Sequence, residues 1–287
     1  MLVTQRRFLF YGLSPVLYNI GIILGTIFLA PHLGVKGIAI GTLSGAFLHL
    51  LIRVGDAWWQ GFKFKITYQF KTREFRKTLK LMWPKMFGHP VELATFWGFT
   101  AIASTLAPGS VAIVSFARNF QSVPISLIGI TIATTSFPLL ANAMSKKNKD
   151  EFHKTIKNSF FLILSASFLS ALLIFVIREP LIKIILGGGA FGADDIKKTS
   201  ATLSVFCLSI PAEALIQLIS RAFYATKNTT IPVVVSVLGI CIAVPGGYLL
   251  SASYGILALP FAFFLASTFK LLVLSAWLPF HMRKINF

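Results

Sequence analysis

The sequence predicts an all-α polytopic membrane protein, a transmembrane helix bundle of about eight spans. Of its 287 residues 55% are hydrophobic and only 13% charged, and the mean hydropathy is +0.77, whereas a soluble surface needs roughly 25% charge. The apolar residues gather in runs of about 20, the length that crosses a hydrocarbon core. The 27 lysines and arginines, set against 9 acids for a net charge of +18, fall mainly between those runs. That is the distribution of inner-membrane topology rather than of a nucleic-acid surface.

The runs lie at about residues 8–30, 33–53, 79–107, 110–144, 158–177, 199–225, 230–250 and 255–280. The first is expected to stay in the membrane: it is about 23 residues long, has no small-residue cleavage motif and is followed at once by another span. The fourth is longer than one crossing requires and contains Pro124 and Pro138, which predicts a kink or break near Pro124. Further prolines fall inside spans at Pro15, Pro84, Pro90, Pro211, Pro245 and Pro260. Two readings stand for them, packing kinks or the moving bends of a transporter, because neighbouring helices and water can satisfy the freed carbonyls. Cys207 and Cys241 each sit inside a span, so neither a disulfide framework nor a metal site is expected.

Summed by side, the N-terminus, the 53–80 loop, the 145–157 loop, the turn at Lys227 and the C-terminus carry 18 lysines and arginines, against 5 on the opposite side. Both termini are therefore expected in the cytoplasm. The loop from Arg53 to Lys80 is the longest polar stretch. Its Lys63, Lys65, Lys71, Arg73, Arg76 and Lys77 interleave with Trp58, Trp59, Phe62, Phe64, Tyr68, Phe70 and Phe75, a mix suited to lying on an anionic inner leaflet. Beside two membrane spans, a nucleic-acid partner is not expected. The loop also sets the predicted organisation: two helices over 1–56, a basic cytoplasmic connection over 57–80 and a six-helix lobe over 81–287.

Ionisable groups inside spans cost about 2.5–3.5 kcal/mol each and tend to face a cavity or a partner, so they mark the candidate site. The third span carries Lys85, His89 and Glu92 on one helical face, and the sixth carries Glu213, Gln217 and Arg221 at successive spacings of four. The fourth offers Arg118, Asn119 and Gln121 just before Pro124, and the second ends with Arg53 and Asp56. Lys85 and Arg221 either face the cavity or snorkel to the interface. Glu92 and Glu213 either neutralise Lys85 and Arg221 within their own helices or couple movement to an ion. A cavity with more cations than carboxylates favours an anionic ligand such as a pyrophosphate, and argues against a cationic drug.

Enzyme signatures are missing. There is no phosphate-binding loop with its Lys and Ser/Thr, no zinc-protease HExxH and no GxSxG. The run Gly187, Gly188, Gly189, Ala190, Phe191, Gly192 reads as a turn between amphipathic segments outside the membrane. No catalytic residue, cofactor or metal is expected, and transport would run on a gradient or the membrane potential.

Several stretches resemble the MurJ (MviN) family of lipid II flippases, in the multidrug/oligosaccharidyl-lipid/polysaccharide exporter (MOP) superfamily. The first is Gly109-Ser110-Val111 with Phe116-Ala117-Arg118-Asn119-Phe120-Gln121-Ser122-Val123-Pro124, then Gly129 and Phe137-Pro138, similar to the family's eighth helix. The second is Arg221-Ala222-Phe223-Tyr224-Ala225 with Asn228-Thr229-Thr230-Ile231-Pro232, like its junction of tenth and eleventh helices. Pro15 with Asn19, and Pro84 with Gly88, add to the match. The resemblance implies the fifth to twelfth helices of a two-lobe flippase, with the first four encoded on the same locus.

It also implies transport of an undecaprenyl-pyrophosphate-linked peptidoglycan precursor across the bacterial cytoplasmic membrane, with Arg118, Asn119, Arg221, Lys85 and Arg53 near the substrate and Glu92 and Glu213 balancing charge or coupling. The family usually places its cavity arginine two residues after the alanine of the eighth-helix motif. Here Arg118 follows Ala117 directly, Asn119 holds the expected place, and Ser122 stands where an acid is often found. The alternatives are a flippase for O-antigen or another polysaccharide precursor, and a non-transporting membrane scaffold.

Overall fold

The computed structural model describes the backbone of residues 8–59, 61 and 72–284, and their side chains except 8–12, 74, 77, 78, 80–92 and 284. Every named element is helical, and the chain separates into two units, Met1–Thr72 and Arg73–Phe287. Most of the basic 57–80 stretch, and the side chains of Lys85, His89 and Glu92, lie outside the described residues.

The first unit is an antiparallel pair. Helix α1 (Phe8–Leu24) runs through a π-helical turn (Gly25–Leu29) into α2 (Ala30–Leu33), and α3 (Val35–Trp59) returns after Gly34. A seam of glycines joins them. Gly21 and Gly25 meet Gly37, Gly41 and Gly45, spaced by four residues along each helix, and a Cβ on Gly41 would stand 2.5 Å from the Cα of Gly25. Lipid tails are as apolar as leucine, so close approach of backbones, rather than hydrophobic burial, holds such a seam. The large side chains point outward instead, with Ile27, Phe28, Leu43 and Phe47 exposed.

The second unit comprises α4 (Arg73–Ser104), α5 (Ser110–Pro124), α6 (Thr131–Ser145), α7 (Lys149–Leu186), α8 (Ala193–Cys207), α9 (Ile210–Ala225), α10 (Thr230–Tyr254) and α11 (Ala258–Lys284). The fourth expected span does not break at Pro124. Proline removes one N–H from the ladder, and the chain absorbs the defect in a π-helical segment, Ile125–Ile130, where Thr131 Oγ1 donates to the Ser126 carbonyl at 3.2 Å. There Gly129 lies so close to α9 that a Cβ would sit 2.7 Å from the Ala214 Cα.

The sixth expected span, by contrast, is not continuous: α8 and α9 meet at a 44° bend. Pro211 leaves the carbonyl four residues back without its helical donor, and Ser209 at the break donates to the Phe206 carbonyl at 2.7 Å and accepts from Gln121 Nε2 at 2.6 Å. The 54-residue apolar run Thr230–Arg283 is two antiparallel helices that reverse at Gly255, with Gly239 packed on Lys270 and Gly247 on Leu259.

Small residues fill many of the packed positions, and many large apolar side chains face outward, as in helices that sit in lipid. Along α7 the buried positions are Phe152, Ser159, Ile163, Ser167, Ala171 and Ile182, while Phe161, Phe168, Leu172 and Phe175 are exposed. Ser136 of α6 and Ser159 of α7 share a hydroxyl hydrogen bond at 2.8 Å. The main core gathers Phe99, Phe206 and Phe263 edge to face, at centroid distances of 6.3 and 5.8 Å.

The glycine run at 187–192 is a turn with an isolated bridge between Gly188 and Phe191, closed where Gly192 N–H donates to the Asp195 carboxylate at 3.1 Å. One turn on, Lys198 pairs with Asp194 at 2.6 Å, and this carboxylate holds the exposed ammonium above its ordinary pKa.

Candidate functional site

The second unit brings the polar groups of its spans into two clusters. In the first, Glu213 of α9 meets Lys270 of α11. The Lys270 ammonium donates to Glu213 Oε1 at 2.7 Å and the Ser267 hydroxyl donates to the same oxygen at 2.5 Å. Both charged side chains are mostly buried, at 14% and 17% exposure, and a buried pair needs such added hydrogen bonds to offset its desolvation. The Lys270 ammonium also lies 5.7 Å from the centre of the Phe263 ring. Arg118 of α5 packs on that ring at 5.7 Å and on Phe96 at 5.1 Å, within electrostatic reach of Glu213. Aromatic faces attract cations, more strongly when water is excluded.

In the second cluster, Arg221 donates through Nη1 to the Gln217 carbonyl at 3.1 Å and to Gln217 Oε1 at 3.2 Å, and through Nη2 to Thr134 Oγ1 of α6 at 3.0 Å. Glu213 is therefore not the neutraliser of Arg221. Eight residues place the two on one helical face but about 12 Å apart along the axis, beyond the reach of either side chain, and each finds a nearer partner. Lys270, a lone lysine within the apolar span read at 255–280, was visible in the sequence and not singled out. Its partner lies 57 residues away, a distance that no helical spacing discloses.

Arg118 and its neighbour Asn119 diverge. Arg118 is half-buried against aromatic rings, whereas Asn119 is exposed. With Asn119 stand Ser122, Ser126, Thr131, Thr134, Thr135 and Asn142, all exposed, along the length of α5, its π-helical segment and α6. A polar stripe at membrane depth is costly against lipid, and it belongs against water or protein. Gln121, two residues after Asn119, turns inward to Ser209.

In the first unit Arg53 Nε donates to Ser14 Oγ of α1 at 3.0 Å, and Asp56 is buried. Among the described residues no group of three or more His, Cys, Asp or Glu side chains is gathered as metal ligands.

The family model described as lipid II flippase MurJ matches residues 1–284. A curated relative, the probable lipid II flippase MurJ of Borreliella burgdorferi, is 27% identical over 238 residues, covering 83% of this chain and 47% of that protein. The chain spans about half the length of the curated relatives it matches. A solved structure of lipid II flippase MurJ in an inward closed conformation superposes with a TM-score of 0.80 at 23% identity, over 100% of this chain and 58% of the other. An inward-facing multidrug resistance transporter of the MATE family, in the MOP superfamily, superposes with a TM-score of 0.81 at 15% identity, over 96% of this chain and 64% of the other. These two likenesses give the fold of MOP-superfamily transporters.

Proposed function

The chain belongs to the lipid II flippase MurJ family, and on that premise we propose that it forms part of a flippase carrying an undecaprenyl-pyrophosphate-linked peptidoglycan precursor across the bacterial cytoplasmic membrane by alternating access. The second unit supplies one wall of the substrate path. Support comes from the exposed polar stripe through Asn119 and Thr134, backed by the cations Arg118, Lys270 and Arg221 against the single carboxylate Glu213 among the described side chains of those helices. Guanidinium groups match pyrophosphate oxygens in geometry and charge.

In this mechanism Asn119 and Arg221 contact the headgroup, and Arg118 supplies positive potential from behind the wall, where its aromatic cradle keeps water from screening it. Lys85 and Arg53 add cations along the path. Glu213 holds Lys270 and balances Arg118, and with Glu92 is the carboxylate available for coupling to an ion. Both termini face the cytoplasm, and the basic connection over 57–80 rests on the anionic leaflet between a two-helix N-terminal piece (1–56) and a six-helix lobe (81–287). The work is binding and conformational change, without a chemical step.

Arg118→Ala in the intact protein is expected to abolish rescue of a strain depleted of its own lipid II flippase, at an unchanged level of protein in the membrane. Growth equal to that with the parent protein would remove Arg118 from the mechanism.

A further inference from the structure

Two helices of the second unit end in the same unusual way. At the close of α6, Lys147 adopts φ +54°, its N–H donates to the Met144 carbonyl at 3.2 Å, and the Asn148 N–H donates to the Ala143 carbonyl at 2.9 Å. At the close of α9, Lys227 adopts φ +62°, its N–H donates to the Tyr224 carbonyl at 2.9 Å, and the Asn228 N–H donates to the Phe223 carbonyl at 3.0 Å. Both are Schellman endings, in which the left-handed position is the ordinary place of glycine because a Cβ is strained there. These are the only non-glycine residues of positive φ among those described, and both are exposed lysines. Each is followed by an asparagine whose side chain caps the next helix, Asn148 accepting from Glu151 N–H at 3.1 Å and Asn228 from Thr230 N–H at 3.1 Å, so neither turn is slack.

The two turns share one end of the unit. Ala143, Phe152, Ala222 and Met282 pack together beneath them, and Thr226 Oγ1 and His281 Nε2 lie 2.9 Å apart. Exposed Lys146, Lys149 and Arg283 surround the lysines, with Asp150 and Glu151 as the acids of this end, so the balance is positive. Just inward, exposed Tyr224, Trp277 and Phe280 form the aromatic belt that marks a membrane–water boundary. A cation one turn beyond such a belt stands at the level of lipid phosphates.

We propose that this end of the unit binds the headgroup of an anionic phospholipid, with Lys147 and Lys227 as its phosphate contacts. Backbone strain that glycine would relieve is retained at both turns for the ammonium groups. The inference stands whatever precursor the protein moves.

The test uses the complete protein in detergent, titrated with phosphatidylglycerol and with phosphatidylcholine and read by native mass spectrometry. Glycine relaxes both turns while removing both charges, so the double variant Lys147→Gly, Lys227→Gly is expected to melt no lower than the parent in phosphatidylcholine. It is expected to lose about 25-fold in affinity for phosphatidylglycerol, each lysine near a headgroup accounting for about fivefold, with phosphatidylcholine binding unchanged. The comparison variant Lys36→Gln, Lys183→Gln removes the same charge elsewhere and should keep the preference. A glycine variant that holds phosphatidylglycerol within twofold of the parent, or a comparison variant that loses it equally, would overturn the proposal.

Discussion

Replacing Lys270 by methionine is expected to destabilise the protein by about 3–5 kcal/mol, the loss typical of removing one partner from a buried ion pair. Glu213 would keep the Ser267 hydroxyl at 2.5 Å but lose the ammonium at 2.7 Å, in a site where its carboxylate has little water. The double variant Glu213→Gln, Lys270→Met removes the stranded charge and should recover most of the loss. Thermal melting of the parent, Lys270→Met, Glu213→Gln and the double variant in one detergent gives the coupling directly. Equal losses for Lys270→Met and the double variant would show that the pair holds nothing together.

Gly41→Leu should be as damaging to the first unit, by about 3 kcal/mol. Its Cβ would stand 2.5 Å from the Gly25 Cα and 2.7 Å from the Gly21 carbonyl oxygen. Both neighbours are backbone, so the helices must separate for the leucine to fit. Gly55, on the same helix, has nothing within 4 Å of a Cβ, and Gly55→Ala is expected to be neutral or to gain up to about 1 kcal/mol of helix propensity. Melting of the two variants beside the parent separates a packed seam from a general intolerance of glycine replacement. Near-equal melting of Gly41→Leu and the parent would mean that α1 and α3 do not depend on close contact.

The spans were legible because crossing a membrane demands a length of apolar residues, and length survives any uncertainty about packing. Pro124 and Pro211 also marked real irregularities, but their outcomes differ. Ile125–Ile130 absorbs the defect of Pro124 in a π-helical segment against Ala214, whereas the chain bends at Ser209, where Gln121 supplies a partner. Local sequence names the missing N–H and cannot say which tertiary group answers it.

The candidate site was legible by residue and less so by pairing. Glu213, Gln217 and Arg221 do share a face, and helical spacing said so. Spacing could not say that Lys270, Thr134 and the Phe263 ring approach from other helices. Nor could it assign Arg118 to the interior and Asn119 to the exposed stripe, because in a membrane the lipid side and the packed side are both apolar and hydrophobic periodicity fades. The glycine seam was readable in principle from Gly37, Gly41 and Gly45, four residues apart.

The most direct test is rescue of a strain conditionally depleted of its lipid II flippase, by the full locus that contains this chain and, in parallel, by the chain alone. Growth restored by the full locus only is the predicted result, since the chain spans about half of its curated relatives. Failure of both, with both products present in the membrane, would contradict the assignment of lipid II as the substrate.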